Sequence, residues 1–152
     1  MKNKKSILVS SLIVLILTLS IIVVAQVSRP YRNGSVWDIG FIRMKPGMDT
    51  AYMNYLATDW KRNQEALKKD GLILSYKVLT TEAHGAADFN VMLLTEYKDM
   101  ATREANQVKQ DALAQQVIGD DQKQMQGYKE RLEIREVLQN RTAREIVLEP
   151  RR

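Results

Sequence analysis

Residues Val36–Tyr52, VWDIGFIRMKPGMDTAY, decide how the chain is to be read. Over Ser35–Met44 large apolar residues (Trp37, Ile39, Phe41) alternate with a mixed set (Asp38, Gly40, Ile42), the two-residue period of a strand. Lys45-Pro46-Gly47 stops it, because proline donates nothing to a ladder and Pro-Gly favours a turn. Asp49 or Thr50 then offers a helix cap. The stretch reads as strand, tight turn, helix.

Downstream, Thr50–Asp70 has a helical period, with Tyr52, Tyr55, Leu56, Trp60, Ala66 and Leu67 in one stripe. Gly71 closes it where a left-handed C-cap is preferred. Leu72–Thr80 and Phe89–Tyr97 read as strands joined by the polar connection Thr81–Asp88. The second of them is apolar on both faces: Phe89, Val91 and Leu93 on one, Met92 and Leu94 on the other. Helices should therefore cover one side of the sheet and something else the other. Asp99 caps a helix to about Val117. Ile118-Gly119-Asp120-Asp121 breaks it and caps another to about Asn140, carrying Met125, Tyr128, Leu132 and Val137. A single long arm over Asp99–Asn140 is the alternative, opposed by Gly119, Gly127 and the lack of a sustained heptad. Arg144–Glu149 reads as a last strand, with 150–152 a tail. The expected fold is α+β, ferredoxin-like β-α-β-β-α-β with a four-stranded antiparallel sheet, over 35–149.

Upstream, Gln26–Gly34 is polar and turn-prone, a linker. Before it, Lys2, Lys4 and Lys5 precede an uncharged apolar run from Ile7 to Ala25. That pattern is a signal peptide cleaved after Ala25 or, given its length, a retained single-pass anchor helix. Either places the domain outside the cytoplasm: periplasmic or extracellular, or anchored in the inner membrane. The net charge of +5 includes those three lysines and no acid from the same segment, so the remainder carries +2 (5 − 3). That is too little for a nucleic-acid footprint, and membrane contact is expected only through residues 1–25 if they are uncleaved. With no cysteine there is no disulfide framework and no thiolate metal site.

The segment Val36–Tyr52 resembles the opening of dimeric α/β-barrel proteins, in which a strand, a Lys-Pro-Gly turn and a helix recur. Antibiotic-biosynthesis-monooxygenase-like, NIPSNAP-like and EthD-like domains belong to that group. The resemblance covers about 35–149 and implies a homodimer whose two sheets pack face to face, which would cover the second apolar face of Phe89–Tyr97. Functions in the group range from monooxygenases and haem degraders to isomerases. The asparagine, histidine and tryptophan of the haem degraders cannot be placed on matching positions here, so that activity does not transfer.

Few residues stand out as chemistry. His84, the one histidine, is either an acid/base or metal-binding group at a barrel mouth or an exposed loop residue. Asp59 and Asn63 fall near the centre of the first helix's stripe, where they either face a ligand cavity or pair with a strand residue or a helix neighbour such as Arg62. Trp60 and Tyr76, with Trp37 and Tyr52, could line an aromatic pocket or be ordinary core. Asp38, on the strand face opposite Trp37, could point into an intersubunit cavity, or be edge-facing or salt-bridged. No phosphate loop, dinucleotide fingerprint or nucleophile elbow occurs, so no cofactor and no metal are expected. The reading is an exported or membrane-tethered homodimer, structural or binding a small apolar or aromatic ligand. The alternative is a cofactor-independent, monooxygenase-like enzyme acting on such a compound in the barrel cavity.

Overall fold

The computed structural model describes residues 29–85 and 87–149, and Tyr31–Glu149 form one compact unit. The leader or anchor expected at 1–25 lies outside the described residues. Among the described residues, no helix is long and apolar enough to cross a membrane.

Four strands, β1 (Tyr31–Met44), β2 (Ser75–Thr80), β3 (Val91–Tyr97) and β4 (Arg135–Leu148), form one sheet in the order β2-β3-β1-β4. Every neighbouring pair is antiparallel. Between β1 and β2 runs helix over 49–69: α1 (Asp49–Tyr55), a π-helical turn (Leu56–Trp60) and α2 (Lys61–Lys69). Between β3 and β4 lie α3 (Met100–Ala105), α4 (Gln107–Val117) and α5 (Asp121–Leu132). This is the ferredoxin-like α+β arrangement.

The local signals act as their chemistry dictates. Gly47 adopts φ +75° in the turn after β1, where Met48 N–H donates to Lys45 C=O at 3.0 Å. Gly71, at φ +69°, closes a Schellman motif: Leu72 N–H reaches Leu67 C=O at 2.9 Å and Gly71 N–H reaches Lys68 C=O at 3.1 Å. Asp99 and Asp120 cap α3 and α5, accepting from Thr102 N–H at 2.7 Å and Lys123 N–H at 2.9 Å. Neither Asp49 nor Thr50 caps α1. Met48 holds that position with no side-chain bond, and Asp49 instead sets its carboxylate against the positive end of the helix dipole.

Several boundaries differ from the sequence reading, beginning with β2 and β3, which start at Ser75 and Val91 rather than at Leu72 and Phe89. Arg135–Asn140 is strand, not the end of a helix, and β4 starts nine residues before Arg144. Its arginines, glutamates and glutamine favour a helix locally, but β1 offers an unpaired edge along its whole length, and ladder pairing overrides that preference. For the same reason Tyr31–Gly34 is not linker: Tyr31, Arg32 and Asn33 pair with Leu148, Val147 and Ile146. Finally, 99–140 is neither one arm nor two helices but three helical segments followed by strand, with Asn106 and 118–120 as the breaks.

All helices pack on one face of the sheet. The residues of β1 beneath them are Val36, Asp38, Gly40 and Ile42, in register with Tyr97, Thr95, Leu93 and Val91 of β3. Ile42 and Val91 cluster with Tyr52 and Leu56, while Tyr97 clusters with Leu67, Leu72 and Ile73. Each buried aliphatic side chain contributes roughly 1.5–3 kcal/mol relative to exposure. The face with the larger apolar residues is the one left open: Trp37, Ile39 and Phe41 pair with Glu96, Leu94 and Met92 on the side away from the helices.

Candidate functional site

Between the helix-covered face of the sheet and the helices lies a cavity of about 550 Å³, within the ~300–1,000 Å³ typical of small-molecule sites. Asp38, Gly40 and Ile42 of β1, Leu93 and Thr95 of β3, and Arg135, Val137 and Thr142 of β4 line its sheet side. Tyr52 and Tyr55 of α1, Trp60 of the π turn, Arg103 of α3 and Tyr128 of α5 line its helix side. Gly40 keeps one part of the floor low, since a Cβ there would come within 3.3 Å of Asn140 Oδ1.

Asp38 is fully engaged. Arg103 Nε donates to its Oδ2 at 2.8 Å, and Thr142 Oγ1 donates to its Oδ1 at 2.8 Å. The Asp38 carboxylate in turn holds the Arg103 guanidinium above its ordinary pKa, and Arg103 also lies 5.7 Å from the Tyr97 ring centroid. At the other end, rings and guanidinium groups alternate. Tyr52 and Tyr55 stack with centroids 5.9 Å apart, Arg131 lies 4.6 Å from the Tyr55 ring, and Arg135 lies 5.6 Å from Tyr52 and 5.9 Å from Tyr128. Burial pushes the Tyr52 hydroxyl up to about 12, against the opposing pull of Arg135, so it is a proton-bearing donor at neutral pH.

The residues singled out from the sequence separate into two groups. Asp38 and Trp60 line the cavity. Tyr76 stands behind Trp60, edge to face at 5.3 Å, with its hydroxyl donating to the Glu65 carboxylate. Asp59 and Asn63 are not among the cavity's lining. The π turn accommodates one residue more than an α-helix would, so the positions after it lag by about 100°. The stripe then continues through Trp60, Gln64 and Leu67: Gln64 is 7% exposed and accepts from Thr95 Oγ1 at 3.4 Å. Asp59 is left to pair with Arg62 at 2.8 Å, beside a groove that also touches α5. Asn63 keeps a buried Oδ1 without a hydrogen-bond partner. His84 is exposed in the β2–β3 connection, where its backbone N–H donates to Asp88 at 3.1 Å. Trp37 is on the open sheet face, under the Lys77 ammonium at 5.1 Å.

Arg103, Arg135 and Thr142 carried no sequence signal, and Tyr128 was read only as an apolar residue of the last helix. Arg103 and Arg135 sit among charged or polar neighbours that read as solvated helix, Thr142 fell between the expected helix and strand, and only the true extent of β4 brings Arg135 and Thr142 under the helices. Among the described residues, no group of three or more histidines, cysteines or carboxylates could hold a metal.

Strand order and helix placement make this a ferredoxin-like α+β domain with a cavity between its layers. Similar solved structures include HapK from Hahella chejuensis, at 11% identity over 72% of this chain and 91% of that one, with a TM-score of 0.49. A NIPSNAP family protein of unknown function from Agrobacterium tumefaciens is 14% identical over 76% of this chain and 90% of that one, TM-score 0.47. A dimeric ferredoxin-like protein from an uncultured marine organism is 19% identical over 77% and 95%, TM-score 0.38. No family model and no curated protein matches the sequence.

Proposed function

We propose that this domain is a homodimer, exported or membrane-tethered, in which each subunit binds a small aromatic or apolar compound between its sheet and its helices. The cavity carries this reading: about 550 Å³ with Tyr52, Tyr55, Trp60 and Tyr128 converging on it is more aromatic wall than a packed core leaves exposed to a void. Binding rather than proton transfer suits its groups, because Asp38 is held by two donors and the Tyr52 hydroxyl stays protonated. The partner's place is the open sheet face, where Trp37, Ile39, Phe41, Met92 and Leu94 have no cover from their own helices. The address rests on the basic and apolar leader pattern of residues 1–25.

Trp60 lines the cavity and Trp37 does not, so Trp37→Phe leaves one fluorophore at the site. Titrating that variant with menadione or 1-naphthol should quench Trp60 along a saturable curve and raise the thermal midpoint. Quenching that grows linearly without saturation, with no shift in the midpoint, would leave the cavity without a ligand. The same purification tests the address: the expected protein begins at Gln26 or stays intact in the membrane fraction, and an intact chain in the soluble cytoplasm contradicts it.

A further inference from the structure

Two buried polar groups of the cavity have nothing to satisfy them among the described residues. Arg135 is 8% exposed and its Nε has no hydrogen-bond partner; Tyr52 is 0% exposed and its hydroxyl has none either. Both residues line the cavity. The ion pairs among the described residues are Arg32–Glu149, Arg43–Glu136, Arg62–Asp59 and Arg103–Asp38, and Arg135 is in none of them. What surrounds its guanidinium is the faces of Tyr52 and Tyr128, which attract a cation but supply no counter-charge. Buried polar atoms in folded proteins are ordinarily bonded, so the unbonded Arg135 Nε and Tyr52 hydroxyl call for an acceptor in the cavity. The cavity's charges point the same way: Arg103, Arg135 and Arg141 line it against the single carboxylate of Asp38, which Arg103 and Thr142 already occupy.

We propose that the compound held in the cavity is an aromatic carboxylate, its ring among the tyrosines and Trp60 and its carboxylate on Arg135 with the Tyr52 hydroxyl donating to it. This rests on the ligand-binding reading above and gives its ligand a chemical class. Arginine suits the task because its planar fork matches a carboxylate edge to edge while its faces stay against the rings. A ring stacked over Tyr52 or Tyr128 would cover the same guanidinium from water and strengthen the pair.

The test compares 1-naphthoate with 1-naphthamide, which share a frame and differ in charge, by calorimetry on the full-length protein at fixed ionic strength. Naphthoate should bind at least about tenfold tighter. Arg135→Met should abolish that preference and keep a thermal midpoint close to that of wild type, because it replaces an unbonded buried donor by an apolar side chain of similar length. Tyr52→Phe, which alters no shape, should weaken naphthoate about three- to tenfold and covers the case in which the arginine variant does not fold. Equal affinity for the two compounds, or a naphthoate preference that survives either substitution undiminished, overturns the carboxylate assignment while the cavity reading stands. Failure of both compounds to bind at about 1 mM overturns the two together.

Discussion

At the scale of the residue, the cavity is organised by which polar groups are matched and which are not. Asp38 illustrates the matched case: with Arg103 and Thr142 it ties β1, α3 and β4 together through one carboxylate. Its side chain is 31% exposed and that of Arg103 33%, so solvent screens the pair only in part. Asp38→Asn keeps the shape and removes the charge, and should cost about 1–2 kcal/mol in urea unfolding. A loss below about 0.5 kcal/mol would show a pair no stronger than a surface ion pair. Asp38 was visible in the sequence as the polar member of an otherwise apolar alternation, and Trp60 as the aromatic of a helical stripe. Arg135 was invisible, because between Glu133 and Glu136 an arginine reads as one more charge on an exposed helix. Only its pairing partner Met44, on a different strand, reveals that it sits in a ladder and faces inward.

At the scale of the element, the signals that announced themselves were those with a local cause. Lys45-Pro46-Gly47, Gly71, Asp99 and Asp120 act through their own backbone torsions or nearest N–H groups, and each stops or starts an element where the sequence places it. The misplaced features have non-local causes. The length of β4 is set by β1, and the inward face of α2 is set by the π turn, which no residue pattern in LATDW advertises. That turn should behave as a one-residue insertion in a helix. Deleting the exposed Ala57 should therefore restore a continuous α-helix with Gln64 and Leu67 still facing the sheet, and move the thermal midpoint by no more than about 5 °C. Inserting one alanine after Lys61 should instead turn Gln64 and Leu67 about 100° away from the core and cost roughly 3–5 kcal/mol. If the deletion destabilises as much as the insertion, the extra residue is not what aligns α2 with the sheet.

At the scale of the whole molecule, the order β2-β3-β1-β4 gives the sheet two unequal faces. The helices take the face with Asp38 and Gly40, where the missing bulk leaves room for the cavity. The face with Trp37, Ile39, Phe41, Met92 and Leu94 has no cover from the helices. The need for two covers was legible in β3, since a strand that is apolar on both sides needs cover on both sides. What covers the second side was not legible in the residues themselves, and the homodimer expected there came from the family resemblance of the opening segment. A second copy related by a two-fold axis is the economical cover, since one patch then serves both subunits. Mass determination by light scattering at micromolar concentration, on the wild type beside Met92→Lys, tests this most directly. The account predicts twice the mass of one recovered chain for the wild type. For Met92→Lys it predicts a shift toward one chain mass, because the substitution buries an unpaired ammonium in the interface. A wild type that runs monodisperse at the mass of a single chain, unchanged by the lysine, would contradict it.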